Sequence, residues 1–120
     1  MLVACQLVNL TTWTQARPAF EHLVMLYDGP GDLRYAGPGE LRSPLRPLGL
    51  WKKRAVMLPR FAGAWLRGRP SIAEDVMKMP GCGKYAADSW AIFVEGRTDV
   101  EPTDGKLIWY LKRQQSSIAR

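Results

Sequence analysis

Apolar residues recur at helical spacing along this chain, and glycine and proline cut the pattern into short pieces. The 120 residues include eleven glycines and nine prolines. Phe20, Leu23, Val24 and Tyr27 fall on one face of a helix over 14–27, and Leu58, Phe61, Ala62 and Trp65 do the same over 51–67. A buried helix over 1–9 precedes them, and short helices at 31–36 and 38–45 open on Gly/Pro punctuation. "RPLGL" (46–50) is a connector and "RGRPS" (67–71) a linker. Ser71 with Glu74 has the capping-box spacing, which predicts a helix from Ser71 to Met79-Pro80. Helices over 83–95 and 105–113 follow, separated by the loop "GRTDVEPT". Pro59 lies inside 51–67, where a regular helix loses about 3 kcal/mol, so a kink or break is expected near Leu58. No strand alternation and no internal repeat is visible. The expected fold class is all-α, a compact bundle of short helices forming a single domain over 1–120.

Hydrophobic residues make up 47% of the chain and include five tryptophans, enough for a core. Charged residues make up 23%, which argues against disorder. The formal net charge of +6 favours an anionic partner, nucleic acid before an anionic membrane surface. No segment combines a basic face with a large apolar one, so a membrane partner is the weaker expectation. From Arg42 to Arg69 there are eight basic residues and no acid: Arg42, Arg46, Lys52, Lys53, Arg54, Arg60, Arg67 and Arg69. Such a run is either a solvated face or a polyanion contact. One sign alone forgoes the Glu–Lys support that solvated helices use.

Cys5, Cys82 and the single histidine, His22, form no metal-ligand spacing. The expectation is no cofactor, no zinc and no iron–sulfur cluster. With Cys5 in an apolar run, a reducing intracellular compartment is expected. "MLVACQLVNL" is too short to span a bilayer and has no basic flank before it or cleavage site after it. It reads as a core helix, in a minimal domain or in one that lacks upstream residues. If upstream cover is missing, modest stability or dimerisation follows; otherwise the expected state is a monomer.

The stretch "MPGCGKYAADSW" (79–90) is the most informative. Helix, Pro-Gly-Cys-Gly, helix is a helix–hairpin–helix unit, here over about 71–95. Glycine lets the backbone turn sharply and approach a ligand closely. The second helix would then offer its amides and positive dipole end to a phosphate, with the Lys84 charge beside them. An ordinary glycine-terminated helix is the alternative.

"MPGCGKYAADSWAIF" followed by "VEPTDGKLIWYL" resembles the helix–hairpin–helix DNA glycosylases, which carry such a hairpin and then a fixed aspartate. Within that superfamily the chain is similar to the glycosylase domains of the methyl-CpG-binding-domain protein 4 type, which act on thymine and uracil mismatches. "GKYAADSWAIF" is similar to the "GKYGNDSYRIF" of those domains, and "PTDGKL" to "PEDHKL". "RPLGLWKKRA" and "MLVACQLVNLTT" also have counterparts there, in order along nearly the whole chain.

That resemblance implies a catalytic role for Asp104. Base release builds positive charge on the sugar, which a carboxylate stabilises while it orients the attacking water. The residue types also allow Asp104 to be a helix N-cap, and both roles can coexist. Tyr85 falls where bifunctional members carry the Schiff-base lysine, so the resemblance implies base release without strand cleavage. Tyr85 would line the base pocket; its plain alternative is a half-buried helix residue. A base must leave the duplex to be reached, and a wedge must fill the gap. The resemblance assigns the wedge to Leu48 and Leu50, although a loop tucked into the core explains Leu48 nearly as well. Gly81, Gly83 and Lys84 would hold a backbone phosphate of double-stranded DNA. Lys52, Lys53, Lys106, Asn9 and Leu10 are the further DNA-contact candidates.

Some positions depart from the family. Leu10 stands where those domains carry an arginine that probes the orphaned base, which bears on selectivity for an opposing guanine. Gly105 replaces a histidine, Pro59 interrupts a helix, and no methyl-CpG-binding domain is present. The expectation is a cofactor-free, monofunctional glycosylase releasing uracil or thymine opposite guanine, in nucleus or nucleoid. A non-catalytic module that recognises bent, damaged or modified DNA is the alternative. The same pocket could also serve other chemistry on modified bases.

Overall fold

Leu7, Leu41, Leu45 and Leu58 are wholly buried, and the elements that carry them follow from their spacing. The computed structural model describes residues 1–8, 12–49 and 51–118, with side chains as far as residue 114. Among the described residues there are eight α-helices and no strand, so the fold is all-α. They are α1 (Leu2–Leu7), α2 (Trp13–Leu26), α3 (Pro30–Leu33), α4 (Pro38–Leu45), α5 (Trp51–Arg67), α6 (Ala73–Met77), α7 (Lys84–Phe93) and α8 (Gly105–Ile118). A 3₁₀ turn, Arg46–Leu48, follows α4.

The chain divides into two units. The first holds Met1–Arg69 with Met79–Gly81, and the second Pro70–Lys78 with Cys82–Arg120. In the first, α1 packs on α2, α2 on α4, and both α3 and α4 on α5. Their shared core is Leu7, Leu23, Leu33, Leu41, Leu45 and Leu58 with small alanines between. Each buried leucine contributes roughly 1.5–3 kcal/mol. Thr12 opens α2 with a reciprocal capping box to Gln15.

Two sequence expectations fail in this unit. Val24 was expected on the buried face of α2 but is exposed. The face that packs runs through Ala16, Ala19 and Leu23, and Val24 lies one residue further, about 100° round the helix. The break near Leu58 is absent: α5 runs from Trp51 to Arg67 with Pro59 inside it. Burial of Ala55, Leu58, Phe61 and Ala62 on both sides of the proline offsets the lost hydrogen bond.

In the second unit α6 packs on α7, and Ile92, Leu107 and Leu111 form a core joining α7 to α8. The Ser71–Glu74 capping box does not form. Helix α6 starts at Ala73, with Ile72 extended before it and no side-chain cap from that residue. Glu95 takes over instead: its Oε1 accepts the Ala73 N–H at 2.7 Å. Glu74 faces Arg97 at 3.7 Å. Helix α8 runs beyond the expected residue 113, to Ile118.

Candidate catalytic and DNA-contact residues

The turn before α7 uses its two glycines differently. Gly81 has φ +78°, a left-handed backbone, and a Cβ there would collide with the buried carboxamide of Gln6, whose Cδ would lie 2.8 Å away. Gly83 is extended at φ −130°, ψ −158°, and a Cβ there would meet nothing within 4 Å. Gly81 is therefore required by packing, whereas Gly83 keeps an open approach to the start of α7. Its carbonyl accepts the Ala87 N–H at 3.0 Å, which begins the helical ladder.

Helix α7 buries Ala86, Ala87, Asp88, Ser89, Ala91 and Ile92, leaving Lys84 and Tyr85 exposed at its mouth. The Lys84 ammonium is held within the unit. Nζ lies 2.9 Å from Asp88 Oδ2, one turn along, and donates to the Glu101 carbonyl at 3.0 Å. The Asp88 side chain is only 11% exposed, so its carboxylate depends on that cation.

Asp104 stands immediately before α8. Its Oδ2 accepts the Leu107 N–H at 3.0 Å, and its carbonyl accepts the Ile108 N–H at 3.0 Å. The capping geometry expected from the sequence is thus present. The half-buried carboxylate is fixed through one oxygen, the only one of the two hydrogen-bonded among the described residues.

Beside Asp104, Gly105, Lys106 and Leu107 form one wall of an open cleft of about 450 Å³. Tyr85, Phe93, Trp109 and Tyr110 supply the aromatic remainder. Phe93 and Tyr110 pack with ring centroids 5.0 Å apart, and the Arg113 guanidinium lies 4.8 Å from the Trp109 ring centroid. This gathers Tyr85 and Lys106, two sequence candidates, at one cleft. Phe93, Trp109 and Tyr110 were not singled out from the sequence, because aromatic residues at helical spacing read as core. Asp88 was missed as well, although Lys84–Asp88 has the i, i+4 spacing of a helical ion pair.

In the first unit, Arg42, Ser43 and Arg46 line a shallow depression of about 550 Å³ with Gly39 and Pro47. Arg42 and Lys52 lie over the Trp51 ring at 5.6 and 5.9 Å. Lys52 and Lys53 are exposed. Arg54, counted in the basic run, is buried instead, and desolvation pulls its pKa down. Leu48 is half-buried against the core of this unit, as its plain reading had it. Gly49 turns the chain after it with φ +67°. Leu50, Asn9 and Leu10 lie outside the described residues.

Among the described residues no group of three or more His, Cys, Asp or Glu is placed to hold a metal ion. Nor is any helix long and apolar enough to cross a membrane.

Of three curated proteins similar to this chain, two are named as DNA glycosylases. A methyl-CpG-binding domain protein 4-like protein of Arabidopsis thaliana is 35% identical over 111 residues, 92% of this chain and 24% of that protein. A thymine-DNA glycosylase of Aeropyrum pernix is 34% identical over 91 residues, 72% of this chain and 41% of that protein. The chain is a relative of DNA glycosylases. A thymine/uracil-DNA glycosylase of Pyrobaculum aerophilum adds 28% identity over 103 residues, 82% of this chain and 45% of that protein. The chain thus spans less than half the length of each of these three relatives. No family model matches it.

Proposed function

We propose that this chain is a monofunctional DNA glycosylase that hydrolyses the N-glycosidic bond of a flipped-out pyrimidine, uracil or thymine opposite guanine. The observation that carries the reading is Asp104. Its carboxylate is fixed by the Leu107 amide, and the residues that follow it wall an aromatic cleft. A fixed anion costs little reorganisation when positive charge develops on the sugar, and it can orient water for attack on the anomeric carbon. The sugar–base bond breaks with its electron pair leaving on the base. Water then supplies the oxygen, and an abasic site remains.

Tyr85, 39% exposed at that cleft, is the candidate to stack on or hydrogen-bond to the flipped base. A phenol cannot form a Schiff base, which favours base release alone. The turn amides at Gly81 and Gly83 are the phosphate candidates, with Lys106 beside the cleft and Lys52 and Lys53 on the basic run. Leu48 and Leu50 stay the wedge candidates. No cofactor is required, the partner is double-stranded DNA, and the helix–hairpin–helix spans 71–95 of one glycosylase domain. The setting is the nucleus or nucleoid, with the protein a monomer.

Labelled duplexes carrying G·U or G·T, with fully paired controls, test this. Breakage of the mismatched strand only after alkali is the expected result. Breakage without alkali contradicts the monofunctional assignment. Binding without breakage on every duplex favours the non-catalytic module.

A further inference from the structure

Lys84 stands where the sequence suggests a phosphate contact, yet its ammonium bridges two parts of the second unit. It pairs with Asp88 Oδ2 at 2.9 Å and donates to the Glu101 carbonyl at 3.0 Å. Glu101 lies three residues before Asp104, in a segment with no secondary structure of its own. Val100 packs on the α7–α8 core at one end of that segment, and the Asp104 cap closes the other. Between those anchors, the Lys84 side chain ties the segment to α7 through the Glu101 carbonyl. Asp88, buried in α7, in turn fixes where the ammonium sits.

We propose that Lys84 and Asp88 form a clasp that positions the Asp104 carboxylate, in place of a phosphate contact by the Lys84 side chain. Both are positioning residues, since neither touches the reacting bond. The proposal rests on the reading of Asp104 as the catalytic carboxylate. Without the ammonium, the Glu101 carbonyl loses its tie and Asp88 is left buried without its cation. A catalytic group displaced by about 1 Å can lose on the order of 100-fold in rate. Loss of a phosphate contact behaves differently. It weakens binding and lowers the salt dependence of log K by about one, with little effect on the rate of bound DNA.

The test uses Lys84→Met, Lys84→Arg, Asp88→Asn and the Lys84→Met/Asp88→Asn double variant. Single-turnover cleavage of a G·U or G·T duplex at saturating protein gives the rate. Anisotropy at several salt concentrations gives affinity and slope. Lys84→Met and Asp88→Asn are each expected to slow cleavage by about 10- to 100-fold. Affinity should stay within about twofold of wild type and the salt slope should be unchanged. The double variant should be no slower than the worse single one, because the two residues act as a unit. Lys84→Arg, still able to bridge both acceptors, should recover most of the rate.

Weaker binding with a reduced slope and a wild-type rate in Lys84→Met overturns the clasp, as does full activity in Asp88→Asn. A second readout is independent of chemistry. Hydrogen exchange across 98–107, which includes the capped Leu107 amide, should quicken in Lys84→Met; unchanged exchange also overturns the proposal. If Asp88→Asn fails to fold, Lys84→Met against Lys84→Arg decides alone, since the Lys84 side chain is half exposed. A wild-type chain that cleaves no duplex refutes the glycosylase reading itself, and the exchange experiment still judges the clasp.

Discussion

At the scale of single residues, Gly81 and Gly83 look interchangeable in "PGCG" and are not. Gly81→Ala places a Cβ on a left-handed backbone, a cost of roughly 1–2 kcal/mol, and drives it into Gln6. Gly83→Ala meets open space and should cost less than about 1 kcal/mol, the difference between glycine and alanine at an N-cap. Urea melts of the two variants separate them; equal destabilisation contradicts this account of the turn. The glycine turn before α7 and the Asp104 cap were legible because both are local signals, spelled within four residues. Tyr85 at the cleft was legible only through the family resemblance. The Lys84–Glu101 contact was not, because it joins residues 17 apart through a main-chain carbonyl, which carries no sequence mark.

At the scale of elements, helix placement was legible and helix closure was less so. The apolar spacing fixed α2, α4 and α5 to within a residue or two, but the start of α6 was misread. Ser71 and Glu74 satisfy the capping spacing, while the group that caps Ala73 comes from Glu95, beyond the end of α7. Glu95→Ala should therefore destabilise the second unit by about 1 kcal/mol, and Ser71→Ala by much less. Comparable losses from both substitutions in thermal melts contradict the assignment. Around that cap, Arg97 lies 3.0 Å from Asp99, and its hydrogen bond holds the Asp99 carboxyl below the usual carboxylate range. A depressed folded pKa adds stability above the ordinary aspartate range and loses it as pH falls. Asp99→Asn should therefore lower stability slightly at neutral pH and converge with wild type in acid, which flattens the acid limb of a stability profile. An unchanged acid limb contradicts that.

At the scale of the whole molecule, the charge of +6 is what a DNA partner would read first. The basic run from Arg42 to Arg69 is not a uniform surface, as neighbouring positions show. Lys53 is exposed and Arg54 buried. Lys53→Gln should weaken DNA binding alike on all sequences and lower the salt slope by about one. Arg54→Gln should lower stability and leave the slope alone. A slope change in Arg54→Gln contradicts this division. Net charge could not separate these two residues, because burial depends on which face of α5 packs. The measurement that bears most directly on the central claim is single-turnover cleavage of a G·U duplex by Asp104→Asn. Asparagine can keep the Leu107 cap while removing the charge. A rate lower by on the order of 100-fold or more, with melting and DNA affinity near wild type, is the predicted result. Wild-type cleavage by that variant would mean that Asp104 is a cap and nothing more, and the catalytic account would fall.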